Sequence, residues 1–232
     1  MEKNNGRLRL PEGWRQISWR RVLMSLFGVI ICAVAVGFFK MAALGVDPFQ
    51  SLMSGLDQLI PIPFGTLYVI VNVILLAFSL IFNRHNIGIA TFINLFLLGY
   101  ITQFTLEILQ GWIGTPGIGL RAGFLLIGIV VICIGSALYM TADLGVSTYD
   151  SVAITMAHKW KWGKFQYIRI ATDLVCVILG TAVFLMGGGK WEQVPEIVGV
   201  GTIITAFFMG PLIEFFNVHM ARPLLRGEKG KA

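Results

Sequence analysis

The side chains with which this chain could hold a solute or carry charge are Lys40, Asp47, Gln50, Gln103, Asp150, Arg169, Asp173 and Glu214, all in or beside long apolar stretches. An ionised group at the centre of a bilayer-crossing helix costs about 2.5 to 3.5 kcal/mol on insertion scales, so each of these residues needs either a partner or a task. Arg169 and Asp173 stand four apart, the spacing that sets two side chains on one helix face, and a mutual ion pair would give both a structural explanation. Lys40, Asp47, Gln103 and Glu107 are expected toward one side of the bilayer. Asp143, Asp150, Arg169, Asp173 and Glu214 are expected toward the other, with Asn72 and Asn94 adding uncharged polar groups between the two sets. Interhelical hydrogen bonding explains such asparagines equally well.

The chemistry these residues point to is recognition of a small solute or ion. No HExxH, GxSxG or GxxxxGK[ST] pattern occurs, the acids are scattered singly, and His85, His158 and His219 sit at span ends. An enzyme acting on a lipid substrate would want clustered acids for a metal or for acid-base work. The expectation is therefore no enzyme, no cofactor and no metal. Cys32, Cys133 and Cys176 lie inside apolar runs without CxxC or Cys/His spacing and read as small packing residues. Gly187-Gly188-Gly189 ahead of Lys190 lacks a strand-to-helix setting and reads as a turn.

The elements that must position these residues are membrane helices. Of 232 residues 56% are hydrophobic and 13% charged, against roughly 25% charged in soluble domains. Six apolar runs, Val22 to Phe39, Phe64 to Asn83, Ile87 to Leu106, Ala122 to Ala142, Leu174 to Gly189 and Ile197 to Ile213, approach or reach the roughly 20 residues that a 30 Å hydrocarbon core requires once flanks are included. Lipid cannot hydrogen-bond the backbone, and no period-two alternation hints at barrel strands, so the runs are predicted to be helices. A cleaved leader ending near Ala33-Val34-Ala35 is disfavoured because the apolar run continues through Phe39 and an internal copy of the segment occurs later. Arg20-Arg21 lacks the neighbours of a twin-arginine signal.

That internal copy is offset by 100 residues. Leu44-Gly45-Val46-Asp47-Pro48-Phe49-Gln50-Ser51 falls on Leu144-Gly145-Val146-Ser147-Thr148-Tyr149-Asp150-Ser151, with Leu26 on Leu126, Gly28 on Gly128 and Ala42 on Ala142. Phe64-Gly65 corresponds to Trp162-Gly163, and Leu98-Gly99 to Met209-Gly210, so the repeat embraces three spans. An odd number of spans per copy inverts the second copy. The predicted fold is all-α, six transmembrane helices in a 3+3 inverted-topology repeat: a basic tail over 1–21, a first half over 22–110, an external linker over 111–120, a second half over 121–218 and a basic tail over 219–232. In each motif copy Gly45 or Gly145 can take a left-handed C-cap, Asp47 or Ser147 can N-cap a short helix, and Pro48 suits its first position. That short helix either lies flat at the interface or re-enters the membrane; the flat arrangement is slightly favoured.

With the N-terminus inside, 15 of the 18 Lys and Arg residues collect on the cytoplasmic side, and only Lys40, Arg121 and Lys190 fall outside, which puts both termini in the cytoplasm. Trp14, Trp19, Trp112, Trp160, Trp162 and Trp191 near span ends suit the headgroup region. The net charge of +6 flanks spans instead of forming a basic domain, so nucleic acid is not an expected partner.

Through LGVDPFQSL and LGVSTYDSV, through Gly65 or Gly163 opening the next span, and through the closing stretch Gly201-Thr202-Ile203 to Gly210-Pro211-Leu212-Ile213, the chain resembles the YczE/YitT group of bacterial integral membrane proteins, from about residue 20 to 218. The resemblance implies six spans in the bacterial cytoplasmic membrane and no particular substrate. Relatives often carry Pro, aromatic, Asp in the motif; here the first copy has Pro48 and Phe49 followed by Gln50, and the second has Asp150 without the proline. The functional expectation is a transporter or solute-binding protein of the membrane. Its alternative is a non-transporting accessory subunit that supports a partner complex, sensor or biosynthetic assembly, acting as a homodimer or with a membrane partner.

Overall fold

A computed structural model of the chain describes residues 18–163 and 165–226. Lys3, Arg7, Arg9, Trp14, Arg15, Lys164, Lys229 and Lys231 therefore lie outside the described residues. In order the helices are α1 (Trp19–Ala42), α2 (Pro48–Leu59), α3 (Phe64–Asn83), α4 (Ile89–Ile113), α5 (Ile118–Ala142), α6 (Thr148–Ile154, prolonged by a π turn Thr155–Lys159), α7 (Phe165–Met186), α8 (Val194–Ile197), α9 (Val200–Phe216, prolonged by a π turn Asn217–Ala221) and α10 (Arg222–Arg226). Among the described residues six helical stretches are long and apolar enough to cross a membrane, α1, α3, α4, α5, α7 and the composite Trp191–Leu225. Helical bonding satisfies the backbone along these stretches, as hydrocarbon surroundings require, and the break at Val198–Gly199 within the last is bonded to another element through Gly201 N and the Leu44 carbonyl.

The core is the crossing of α1 and α5. A Cβ at Gly28 would meet the Gly135 carbonyl and Tyr139, and one at Gly128 would meet Phe39 and the Ala35 carbonyl, so the two helices run antiparallel with small residues at the contact. Such residues let backbones approach where no hydrophobic effect drives helices together. Cys32 Sγ lies 3.9 Å from the Ile132 carbonyl at this crossing. Outside it, α4 packs on α1, with Thr102 donating to the Ala33 carbonyl at 3.0 Å, and α9 packs on α5.

Each short helix belongs to the opposite half. α2 lies along α7, with Gly180 against Leu52 and Gly187 against Leu59, so the two point the same way. α6 lies along α3 in the same sense: Thr148 donates to Asn72 Oδ1, and further on Lys159 Nζ donates to the Phe82 carbonyl beside Trp160, whose ring meets Phe78 and Phe82. Pro48, Phe49, Gln50, Ser51 and Met53 of α2 are buried within the bundle.

The LGV segments lock this exchange. The Leu44 carbonyl accepts from Gly201 N at 2.7 Å and Val46 N donates to the Ile197 carbonyl at 3.3 Å; in the other copy Leu144 accepts from Ala90 N at 3.0 Å and Val146 N donates to the Asn86 carbonyl at 3.1 Å. Thr202 and Thr91, each receiving Gly199 N or Gly88 N at 3.2 Å, complete the two crossings. The left-handed caps do not fall on the motif glycines as expected. They fall on Ala43 (φ 47) and Asp143 (φ 53), because α1 and α5 stay helical to the buried Ala42 and Ala142. Gly45 (φ 97) and Gly145 (φ 113) serve instead where the chain doubles back, each with a Cβ position filled by the backbone nitrogen of Gly199 or Gly88. Only glycine supplies both that torsion and that clearance.

Candidate functional site

The helices α2 and α6 begin beside one another. Asp47 caps α2, its Oδ1 accepting from Phe49 N and Gln50 N, both at 3.2 Å, and Pro48 fills the first helical position. Ser147 caps α6, accepting from Asp150 N at 3.1 Å and donating to Asp150 Oδ2 at 2.7 Å. These are the caps the motif predicts. The rings of Phe49 and Tyr149, equivalent in the two copies, stack with centroids 4.8 Å apart.

Around this meeting point is a polar cavity of about 140 Å³, bounded by Asp47, Gln50, Asn72, Asn94, Asp150 and Arg169 among others. Of the residues anticipated from sequence, the structure brings Asp47, Gln50, Asp150 and Arg169 to its wall, with Asn72 and Asn94. Arg169 does more than the expected i, i+4 pairing. Its Nε is 3.2 Å from Asp173, its Nη1 binds Asp150 Oδ1, and its guanidinium lies over the Tyr149 ring at 4.6 Å. Tyr149 in turn donates to Asp173 Oδ1 at 2.6 Å. A bidentate-capable, permanently charged guanidinium between two carboxylates and an aromatic face is a strongly favoured arrangement where water is scarce.

Three anticipated residues stand elsewhere. Lys40 sits over the Phe64 ring, 3.2 Å from its centroid. Gln103 accepts from Gly65 N at 3.1 Å and donates to Glu107 at 2.8 Å, which ties α4 to the start of α3. Glu214 is exposed, paired with Arg222 at 3.0 Å and accepting from Asn217 at 3.1 Å. Gln103 and Glu214, expected in polar sets toward opposite sides of the bilayer, thus stand away from this cavity, Gln103 held by Gly65 and Glu107 and Glu214 by Arg222 and Asn217. Asp143 is exposed at the end of α5.

Sequence reasoning passed over Tyr68, Tyr139 and Ser136, which also line the cavity. A signal was available, since hydroxyls buried in apolar spans must find partners. Tyr68 donates to Asn94 Oδ1 at 3.4 Å and Asn72 Nδ2 to the Tyr68 carbonyl at 2.8 Å. Gln50 Oε1 and Tyr139 OH, both buried, find no hydrogen-bond partner among the described residues. On the far side of the Phe49–Tyr149 stack is a wholly apolar cavity of about 330 Å³ between α3 and α7, walled by Val71, Leu75, Met156 and Val175 among others. Among the described residues no group of three His, Cys, Asp or Glu converges as a metal-holding set.

A family model, described as a family of unknown function, DUF6198, matches residues 19–218. The chain is similar to the uncharacterized membrane protein YczE of Bacillus subtilis strain 168, 27% identical over 192 residues, 81% of either chain. It is also similar to an uncharacterized protein of Haemophilus influenzae, 25% identical over 207 residues, 88% of this chain and 86% of the relative. A third relative is the uncharacterized protein YyaS of Bacillus subtilis strain 168, 23% identical over 198 residues, 85% of this chain and 92% of the relative. No solved structure gives a significant match. The likeness read from the two LGV motifs is met by YczE, and with the six apolar helices it makes this chain a multi-pass integral membrane protein.

Proposed function

The chain belongs to the DUF6198 family of unknown function, and we propose that it is a 3+3 inverted-repeat protein of the bacterial cytoplasmic membrane, both termini cytoplasmic, that binds a small solute between α2 and α6 and passes it across the bilayer. One observation carries the reading: residues at the starts of both motif helices, Asp47, Phe49 and Gln50 of one and Ser147, Tyr149 and Asp150 of the other, wall a single cavity that holds polar groups inside the bundle. Polar surface buried in a membrane bundle is costly, and it persists where a ligand or a path uses it.

Reciprocity supports the inversion. Cys32 with Ile132 and Phe49 with Tyr149 are pairs 100 residues apart in mutual contact, and α2 on α7 mirrors α6 on α3. A two-fold axis in the membrane plane generates contacts of this kind. On this reading Phe49 and Tyr149 lie near the midplane. α2 is then a re-entrant half-helix rising from there to the surface where α7 ends, and α6 is its counterpart toward the opposite surface. The antiparallel α1–α5 crossing is the hinge about which the halves rock.

Two measurements test this. Single cysteines at Gln58 and Lys161 react with an impermeant thiol reagent added to opposite faces of the membrane; reaction of both from one face removes the inversion. Liposomes holding the purified protein take up at least one member of a panel of ions, amino acids and small metabolites, and Asp150→Asn abolishes that uptake. A panel-wide absence of uptake, with stable co-purification of another membrane subunit, would replace transport by an accessory role.

A further inference from the structure

The charges and orphan atoms around the cavity bear on which class of solute it takes. Helix N-termini favour anions, each end carrying roughly half a positive charge. Here the start of α2 is already occupied by the chain's own carboxylate, since Asp47 accepts both Phe49 N and Gln50 N. Asp150 is likewise held, by Ser147 on one oxygen and Arg169 on the other. Three carboxylates, Asp47, Asp150 and Asp173, face a single guanidinium, and the half charge of the α2 terminus does not make up the difference.

The unsatisfied atoms agree with that sign. Gln50 is 3% exposed and lines the cavity, yet its Oε1 accepts nothing. Tyr139, 8% exposed and also lining the cavity, has a hydroxyl with no partner among the described residues, and its oxygen can turn a lone pair to a cation. A buried acceptor without a donor forfeits its hydration, and it regains it when a donor or cation arrives. A ring face attracts cations and repels anions. Tyr149 already carries a cation on its ring, the tethered Arg169.

Resting on the solute-binding reading above, we propose that the cavity takes a small monovalent cation, an alkali ion or a primary ammonium of a few heavy atoms, with Gln50 Oε1, Tyr139 OH and Asp150 as its oxygen contacts. Arg169 is the built-in competitor. The free cation draws Asp150 away from it, and Arg169 falls back on Asp173 and the Tyr149 ring, which hold it without Asp150. The cavity volume of about 140 Å³ has room for a partly dehydrated ion with several waters or for a small organic ammonium.

The test uses the full chain in detergent and titration calorimetry with five probes: sodium, potassium and methylammonium chlorides, with choline chloride as the ionic-strength control, then choline formate as the anion and urea as the neutral polar molecule. At least one of the three small cations binds saturably, and Asp150→Asn weakens it by about tenfold or more, as loss of a charged contact does. Gln50→Met, which keeps the volume but removes the carbonyl, weakens it several-fold and carries the test if Asp150→Asn does not fold. Arg169→Gln strengthens binding, a sign that a purely structural role for Arg169 would not give. Formate or urea binding as well as the small cations, with Gln50→Met weakening it, overturns the cation assignment and leaves the site standing. Binding of none of the probes to the folded wild-type chain overturns both the assignment and the solute-binding reading.

Discussion

The two copies of the LGV segment share a backbone and differ in their charges. Both end a long helix on a left-handed residue, double back at a glycine, lay main-chain bonds on the turn that precedes the third span of the other half, and cap a short helix. Beyond the cap they diverge. The first copy follows Asp47 with the neutral, buried Gln50, while the second places its acid at Asp150 and meets it with Arg169 and Asp173. Asn72, the polar residue of α3 that faces α6, is neutral and bonds Thr148. The scaffold is thus repeated and the electrostatics are not. What must be kept for the halves to interlock is a set of backbone positions; what has been free to change is the set of side chains that face the cavity.

If that division is correct, the largest effects come from the shared backbone and are alike in both halves. Gly45→Val and Gly145→Val each force a branched side chain into a torsion that L-residues avoid and into the backbone of Gly199 or Gly88. We expect each to cost more than about 4 kcal/mol, which is beyond what most membrane bundles have to spare. The measurement is the yield of monodisperse protein after extraction, with the melting of any that survives. Retention of a normal melt by either variant, and not the other, would show that only one crossing holds the halves together.

The scaffold was legible in the sequence and the charges were not, and the reason is physical. Membrane spans announce themselves by length and the absence of charge, and a helix cap needs particular residues at fixed spacing, so the six spans and the roles of Asp47, Pro48 and Ser147 follow from local rules. The position of the left-handed cap did not follow, because Ala43 and Asp143 accept a torsion that the nearby glycine makes it natural to assign to Gly45 and Gly145. Which polar groups share a cavity depends on contacts across the bundle. Asp150 and Arg169 are 19 residues apart and on different helices, whereas Gln103 and Glu214, which look equivalent under the repeat, find other partners, Gly65 and Glu107 for Gln103 and Arg222 for Glu214. Tyr139 aligns with Phe39 under the 100-residue shift, and only the hydroxyl that Phe39 lacks marks it as part of the cavity wall.

A middle-sized effect comes from making the first copy resemble the second. Gln50→Asp puts a carboxylate at a site 3% exposed, in a cavity whose Arg169 is already paired with Asp150 and Asp173. An unpaired buried charge costs several kcal/mol or takes up a proton instead, so we expect a loss of about 2 to 4 kcal/mol above neutral pH that shrinks as the solution is acidified. The sign follows from the raised pKa of such a carboxyl: the folded state binds the proton more readily than the unfolded chain, so lowering pH favours folding. Chemical unfolding in detergent at two pH values reads it. A pH-independent loss would mean that the defect is one of shape, and the electrostatic contrast between the copies would lose its main support.

The smallest effect isolates one cross-half bond. Thr148 donates to Asn72 Oδ1 where α6 begins, and Asn72 uses its other end to bond the Tyr68 carbonyl, so this asparagine joins α3 to the second motif without any charge. Thr148→Val keeps the volume and removes the hydroxyl, leaving Asn72 Oδ1 buried and short of a donor. That should cost about 1 to 3 kcal/mol, the usual penalty for an orphaned neutral acceptor, and it should leave cation binding within about twofold, because Thr148 itself does not wall the cavity. Thr148→Ser, which restores the donor, should recover most of the loss. Were Thr148→Val instead to impair binding as deeply as Asp150→Asn while the melt stayed unchanged, the division would fail at its boundary: a residue assigned to the interlock would be part of the site, and the second copy would read its ligand through the same main-chain turn that holds the halves together.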